Sequence, residues 1–233
     1  MTSERQAITL QGVTKAFPLG GGRALEVLNI PALELPAGSY TVLKGPSGSG
    51  KTTLLNLMAG VATPSSGKIR LDGTDLFALL ESDRDRFRAE HVGYIFQTFN
   101  LLAPFTALEN VLLAMLFASK LPKREQRRRA AAMLSTLGLG GRLSHRPHQL
   151  SRGEQQRVAI ARALVNDPPV VLEDEPCASL DPKTARAVLG EFLALCREQR
   201  KTLLVVSHEE LAAQGADEVL DMAAINCAVG ASS

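Results

Sequence analysis

The chain has 233 residues, 45% of them hydrophobic and 21% charged, with a formal net charge of +2. That length supports one α/β domain with an inserted part rather than two independent domains, and the near-neutral balance gives no overall field for nucleic acid. No stretch approaches the ~20 consecutive apolar residues of a membrane span, Met1-Thr2-Ser3-Glu4-Arg5 leads into a strand pattern rather than a signal-peptide core, and Cys177, Cys196 and Cys227, with neither CxxC nor metal-ligand spacing, read as reduced thiols of a cytoplasmic chain.

Ile8 to Val13 and Ala24 to Leu35 carry short β-like segments, joined by the turn-prone Pro18-Leu19-Gly20-Gly21-Gly22 with Phe17 just before it. The apolar stretch Ser39-Tyr40-Thr41-Val42-Leu43 then leads into Gly45-Pro46-Ser47-Gly48-Ser49-Gly50-Lys51-Thr52, and the helix-like run Thr53-Leu54-Leu55-Asn56-Leu57-Met58 follows. A strand feeding a Gly-rich turn into a helix presents backbone N–H groups and the positive end of the helix dipole to one anion, and nucleotide phosphates are its natural occupant. The glycines let the backbone approach closely, the Lys51 ammonium can reach β- and γ-phosphates, and the Thr52 hydroxyl can sit on Mg²⁺. A Gly-rich turn that binds nothing leaves the full spacing and both flanking elements unexplained.

Pro64-Ser65-Ser66-Gly67 is followed by a short strand, Lys68 to Gly73, ending in an Asp-Gly turn, and Val92 to Phe96 is another strand. From Thr106 to Leu139 the pattern is helical. Within it Val111 to Ala118 is apolar nearly all the way round, which suits burial on several sides or docking against a partner, while Lys123, Arg124, Arg127, Arg128 and Arg129 read as a solvated basic helix face. Gln155 to Val165 is helical, and Val170-Val171-Leu172 and Thr202 to Val206 read as buried parallel strands with a crossover helix between them. There is no internal repeat.

Three carboxylates, Glu173, Asp174 and Glu175, follow Leu172. Ligands collect at the carboxyl edge of a parallel sheet, so Asp174 can hold Mg²⁺ through water and Glu175, aimed differently, can polarise a water that attacks a γ-phosphate. Like charges this close are expected to raise at least one proton affinity unless the metal is present. In Leu150-Ser151-Arg152-Gly153-Glu154-Gln155-Gln156-Arg157, Ser151 and Glu154 form a capping box at a helix start, which is also an anion site for a phosphate from outside the chain.

Gly45 to Thr52, Gln97, Leu150 to Gln155, Val170 to Glu175, Ser179-Leu180-Asp181 and His208, in this order, resemble the nucleotide-binding subunit of an ABC transporter. Phe96 to Leu102 with Glu109-Asn110-Val111 resembles more narrowly the subgroup of lipoprotein release, macrolide export and the cell-division ATPase. The resemblance implies an α/β P-loop NTPase core, a mostly parallel sheet with helices on both faces, carrying an N-terminal antiparallel β subdomain and an inserted helical subdomain. Residues 1–38 would form the β-rich part, 39–97 and 151–233 the core, and 98–150 the helical subdomain. It also implies a head-to-tail homodimer in which each ATP, with Mg²⁺, lies between the loop Gly45 to Thr53 of one chain and Ser151 and Gly153 of the other. Gln97 would contact Mg²⁺ and the attacking water, His208 the γ-phosphate, Asp181 would order the interface, and Phe17 would stack on adenine, although in isolation an aromatic there reads as core. Integral-membrane subunits would dock on the helical part, with Leu101, Leu102, Phe105, Met115 and Leu116 lining or supporting the socket or forming ordinary core. The chain would lie peripherally on the cytoplasmic face of the inner membrane.

Three departures from the family pattern stand out. Arg152 replaces the first signature glycine, Cys177 replaces a usual Thr, and Val219 to Cys227 lacks the common final Asp-Gly hairpin, so the last strands are expected to be short or differently paired. A motor for export of lipoproteins, lipids or hydrophobic compounds is the leading expectation, and a regulatory ATPase signalling through a membrane protein is the alternative. A soluble ATPase on ribosomes or DNA would carry two cassettes or long coiled coils, and a GTPase would carry Asn-Lys-x-Asp; neither pattern is present.

Overall fold

The computed structural model describes residues 5–118, 121–175, 180–207 and 209–228. In chain order the elements are β1 (Gln6–Gly20), β2 (Arg23–Pro36), β3 (Tyr40–Lys44), α1 (Lys51–Met58), β4 (Ser66–Leu71), β5 (Thr74–Asp75), α2 (Glu81–His91), β6 (Val92–Ile95), α3 (Ala107–Ala118) and α4 (Lys123–Thr136). They continue with α5 (Arg152–Leu164), β7 (Val170–Asp174), α6 (Pro182–Glu198), β8 (Thr202–Val206), α7 (Glu210–Ala213), β9 (Glu218–Asp221) and α8 (Met222–Ile225). Two compact units result, one from residues 1–84 and 202–233, the other from residues 85–201. Among the described residues no helix is long and apolar enough to cross a membrane.

The first unit holds an antiparallel sheet in the order β2-β1-β4-β5. Alternating residues bury one face of it, Ile8, Leu10 and Val13 on β1, Leu28, Ile30, Leu33 and Leu35 on β2, Ile69 and Leu71 on β4. β1 runs further than its sequence suggests. It pairs Phe17 with Leu25 and Pro18 with Ala24, and only Gly21 and Gly22, at φ 60° and 75°, make the turn. A two-residue hairpin turn of type I′ needs positive φ at both positions, which glycine supplies. Pro18 is tolerated because β4 pairs with β1 only between Ile8 and Thr14, leaving the proline on an open edge.

The same unit carries parallel strands in the order β8-β3-β9. β3 is buried from Tyr40 to Leu43 and β8 throughout, as continuous apolar runs in parallel sheets require. The chain end departs from a hairpin, as anticipated. β9 lies parallel to β3, with Thr41 opposite Glu218, and the chain then enters the single turn α8, whose first amides Asp221 caps by accepting from Ala223 N at 2.9 Å.

The second unit pairs β6 with β7 in parallel, Val92 opposite Val170 and Ile95 opposite Glu173. α3 packs on α4 and α5, and α5 on α6 and β6. Val111, Met115, Ala130, Leu134, Val158, Ile160 and Phe192 are buried here. β7 is buried along its whole length, and that includes Glu173, which is 1% exposed with neither carboxylate oxygen hydrogen-bonded. Burial pushes this carboxyl well above the usual range, which favours the neutral acid. The anticipated rise in proton affinity within the acidic row is therefore present, but its cause is desolvation of Glu173 rather than repulsion between neighbours.

Two stability measurements follow from this architecture. Gly67 has φ 90°, and a Cβ there would lie 2.3 Å from Gly12 O on the neighbouring strand. Gly67→Ala should lower the urea midpoint by the equivalent of about 2 kcal/mol or more, whereas Gly73→Ala, with positive φ but open space, should lose only about 1 kcal/mol. For Glu173, the unfolded carboxyl releases its proton above about pH 4.5 while the folded one keeps it, so stability falls as pH rises through that window. Glu173→Gln should remove the loss, so that its stability relative to the native chain grows as pH rises above that point in denaturant titrations.

Candidate nucleotide-binding and hydrolysis site

In the first unit, β3 delivers the chain into a turn with Gly45, Gly48 and Gly50 at φ 152°, 79° and 95°. Gly50 is the N-cap of α1 in left-handed conformation, and no side chain caps the helix. The amides of the first helical turn are thus left to an external acceptor. Lys51 is only 6% exposed, and its ammonium donates to Gly45 O at 2.8 Å and Pro46 O at 2.9 Å. Those bonds wrap the loop around a positive charge and use two of its three donors. The Ser49 hydroxyl is buried without a hydrogen-bond partner, and Thr52 at the start of α1 is exposed. A cradle of uncapped amides, a buried ammonium and an orphaned hydroxyl fit a polyphosphate.

Phe17 lies on β1 and is 42% exposed, so it is not core. Lys15 Nζ sits 5.0 Å from its ring centroid while donating to Thr63 O at 2.7 Å. A cation over an aromatic face is attractive. The sequence reading did not single out Lys15, and no local signal marks it.

In the second unit, the parallel register of β6 and β7 puts Gln97 and Glu175 beyond the same carboxyl edge. Gln97 Nε2 donates to Glu175 Oε2 at 2.8 Å. Glu175 has φ 49°, a left-handed backbone that a non-glycine residue adopts at a cost, and such strain concentrates at functional sites. Asp174 is 5% exposed. Together with burial, its negative charge pushes the Tyr94 phenol up. Among the described residues no cluster of three or more His, Cys, Asp or Glu could hold a metal. A cation here would have few protein ligands and would lean on phosphate oxygens and water, as Mg²⁺ does.

Ser151 is the N-cap of α5. Its Oγ accepts from Glu154 N at 3.3 Å, and Glu154 Oε2 accepts from Ser151 N at 2.8 Å, which is the anticipated capping box. Arg142 adds a 2.9 Å bond to Glu154, and these donors hold the Glu154 carboxyl below the usual range. Gly153 is buried, and a Cβ on it would lie 2.6 Å from Thr184 Cγ2 on α6. Thr184 N in turn donates to Asp181 Oδ1 at 3.1 Å, which makes Asp181 the N-cap of α6. The close approach of the two helix starts was not visible in the sequence. Arg152 is exposed beside Ser151. His208, Ser179 and Cys177 lie outside the described residues.

Near α3 and α4 a cavity of about 360 Å³ is lined by Phe105, Leu112, Leu113, Leu116, Lys123 and Arg127, among others. Leu102, Phe105 and Leu116 are exposed, whereas Met115 is buried and can only support such a surface.

Residues 28–178 match the family described as ABC transporter. The chain is 43% identical over 220 residues to the lipoprotein-releasing system ATP-binding protein LolD of Pseudomonas fluorescens, covering 94% of this chain and 96% of that protein. It is 44% identical over 216 residues to the macrolide export ATP-binding/permease protein MacB of Rhodopirellula baltica, and there it spans 92% of itself but only 31% of the relative's length. The dimeric post-hydrolysis structure of the ATP-binding cassette MJ0796 bound to ADP and Pi superimposes with a TM-score of 0.84 at 35% identity, covering 92% of this chain and 93% of that one. The parallel strands, flanking helices and antiparallel sheet are those of such a cassette, a P-loop NTPase fold. The chain belongs to the ABC transporter family, as an ATP-binding and ATP-hydrolysing cassette that works with Mg²⁺.

Proposed function

We propose that two copies of this chain close head to tail on two ATP molecules and drive membrane subunits that export lipoproteins, lipids or hydrophobic compounds. The observation that carries the reading is the Gln97–Glu175 bond at 2.8 Å with Glu175 in a strained left-handed backbone one residue after Asp174. An amide that fixes a carboxylate in a costly conformation suits a group whose direction matters, such as one polarising an attacking water.

In this reading the amides and side chains from Gly45 to Thr53 bind the phosphates, and Phe17 takes the adenine on its exposed ring. Ser151 and Gly153 of the second copy meet the γ-phosphate, Asp181 orders the interface, and His208 holds the γ-phosphate. Thr52, Asp174 and Gln97 would hold Mg²⁺, which when bound neutralises charge on the β- and γ-phosphates. Phosphoryl transfer asks mainly for positioning and for stabilisation of charge, and Lys51 supplies a fixed cation for it. Arg152, exposed at the start of α5, adds positive charge beside the Ser151 anion site.

Residues 98–150 form the helical part that receives the membrane subunits, through exposed Leu102, Phe105 and Leu116. The remaining layout follows the family: a β-rich part in residues 1–38 and a nucleotide-binding core in 39–97 and 151–233. The resemblance to LolD and to the ATP-binding part of MacB supports a peripheral place on the cytoplasmic face of the inner membrane.

Glu175→Gln keeps the size of the side chain and removes its basicity. Steady-state turnover should fall by roughly 100-fold or more while ATP still binds, and an ATP-bound dimer should accumulate in size-exclusion chromatography. Activity near that of the native chain would overturn the assignment. Lys51→Ala should instead weaken nucleotide binding itself, read as a rise in the dissociation constant in a titration with a fluorescent ATP analogue.

A further inference from the structure

We infer that the segment running from the end of β9, Asp221 to Ala228, is a clasp on the phosphate loop, with Asn226 as a positioning residue for nucleotide binding. The inference rests on the loop being the ATP site and goes beyond it, because the segment lies outside the matched residues 28–178 and the local sequence gives no hint of the role.

The buried Met222 side chain lies under the first glycine of the loop. A Cβ on Gly45 would sit 2.8 Å from Met222 Cβ, so the loop backbone rests directly on α8. On its other side the loop meets β2, where a Cβ on Gly50 would sit 2.8 Å from Leu28 Cδ2 and 3.2 Å from Val27 O. Asn226 ties these pieces together. Its Oδ1 accepts from Asn29 N at 2.8 Å and Ala228 N at 3.2 Å, and its Nδ2 donates to Val27 O at 3.0 Å and Ser49 O at 3.4 Å. The adjacent Cys227 N donates to Asn29 O at 2.8 Å, which anchors the segment to β2 by backbone alone.

The bond to Ser49 O matters because of peptide geometry. The carbonyl of Ser49 and the N–H of Gly50 belong to one planar trans unit and point in opposite directions. Holding the carbonyl toward Asn226 therefore turns the Gly50 N–H away from it. Gly50 tolerates many backbone conformations, so without that hold this peptide can rotate and the amides facing a phosphate lose their alignment. Preorganised donors bind more tightly than donors that must first be ordered.

The test compares the native chain with Asn226→Ala, Asn226→Asp, Met222→Ala and Cys227→Ala, using MgATP and MgADP titrations, steady-state kinetics and thermal unfolding without nucleotide. Asn226→Asp retains the acceptor for Asn29 N but loses the donor to both Val27 O and Ser49 O. Both Asn226 variants should raise the nucleotide dissociation constant and KM by about 10-fold, with kcat changed less than about 2-fold. Met222→Ala, which opens space beneath Gly45 without touching these hydrogen bonds, should raise KM in the same direction, and Cys227→Ala should match the native chain. Nucleotide affinity within about 2-fold of native in Asn226→Asp and Met222→Ala overturns the clasp, as does a loss of kcat and thermal midpoint in step with KM. Failure of the native chain itself to bind MgATP would instead overturn the nucleotide-site reading.

Discussion

An uncapped helix start is the constraint around which the first unit is arranged. α1 begins at Lys51 behind a left-handed Gly50, with no side chain on its leading amides. Such a terminus carries roughly half a positive charge, and here a nearly buried ammonium is added to it. Concentrated positive charge on a nearly buried ammonium would be unfavourable were it not spread over the carbonyls of Gly45 and Pro46. Negative charge from outside completes the balance. β3, buried among β8 and β9, gives the turn a rigid base, and β2 and α8 close on its sides.

The acidic row at the end of β7 shows how one strand can give neighbouring carboxyls different states. Successive side chains of a strand point to opposite faces. Glu173 faces a dry interior without hydrogen bonds, and burial raises its proton affinity. Glu175 lies past the end of the strand, where a left-handed turn and the Gln97 amide set its direction. The energetic burden of burying Glu173 is consistent with a site that trades stability for arrangement, since its removal is expected to stabilise the fold rather than weaken it.

Several residues assigned to nucleotide contact also have a local structural reason to be where they are. Ser151 closes a capping box, Asp181 caps α6, and Gly153 leaves room for Thr184. These reasons do not compete with the functional ones. A helix start held by its own cap is a rigid donor platform, and the tight approach of α5 and α6 at Gly153 fixes the two platforms against each other within the second unit.

Much of this was legible in the residues alone where the physics is local. The loop Gly45 to Thr52 needs only a strand before it and a helix after it, the capping box needs only its spacing, and β3 and β8 declare themselves as unbroken apolar runs. The family and its chemistry followed from such motifs in order. Long-range contact decided the rest. No local pattern says that β1 continues through Pro18, because that depends on which edge β4 leaves open. None says that Glu173 is the member of its row whose proton affinity rises, because burial depends on what packs around β7. Nor could spacing reveal Asn226, 177 positions from Ser49, as a neighbour of the phosphate loop: hydrogen bonds between distant segments exist only once the tertiary fold has brought their backbones together.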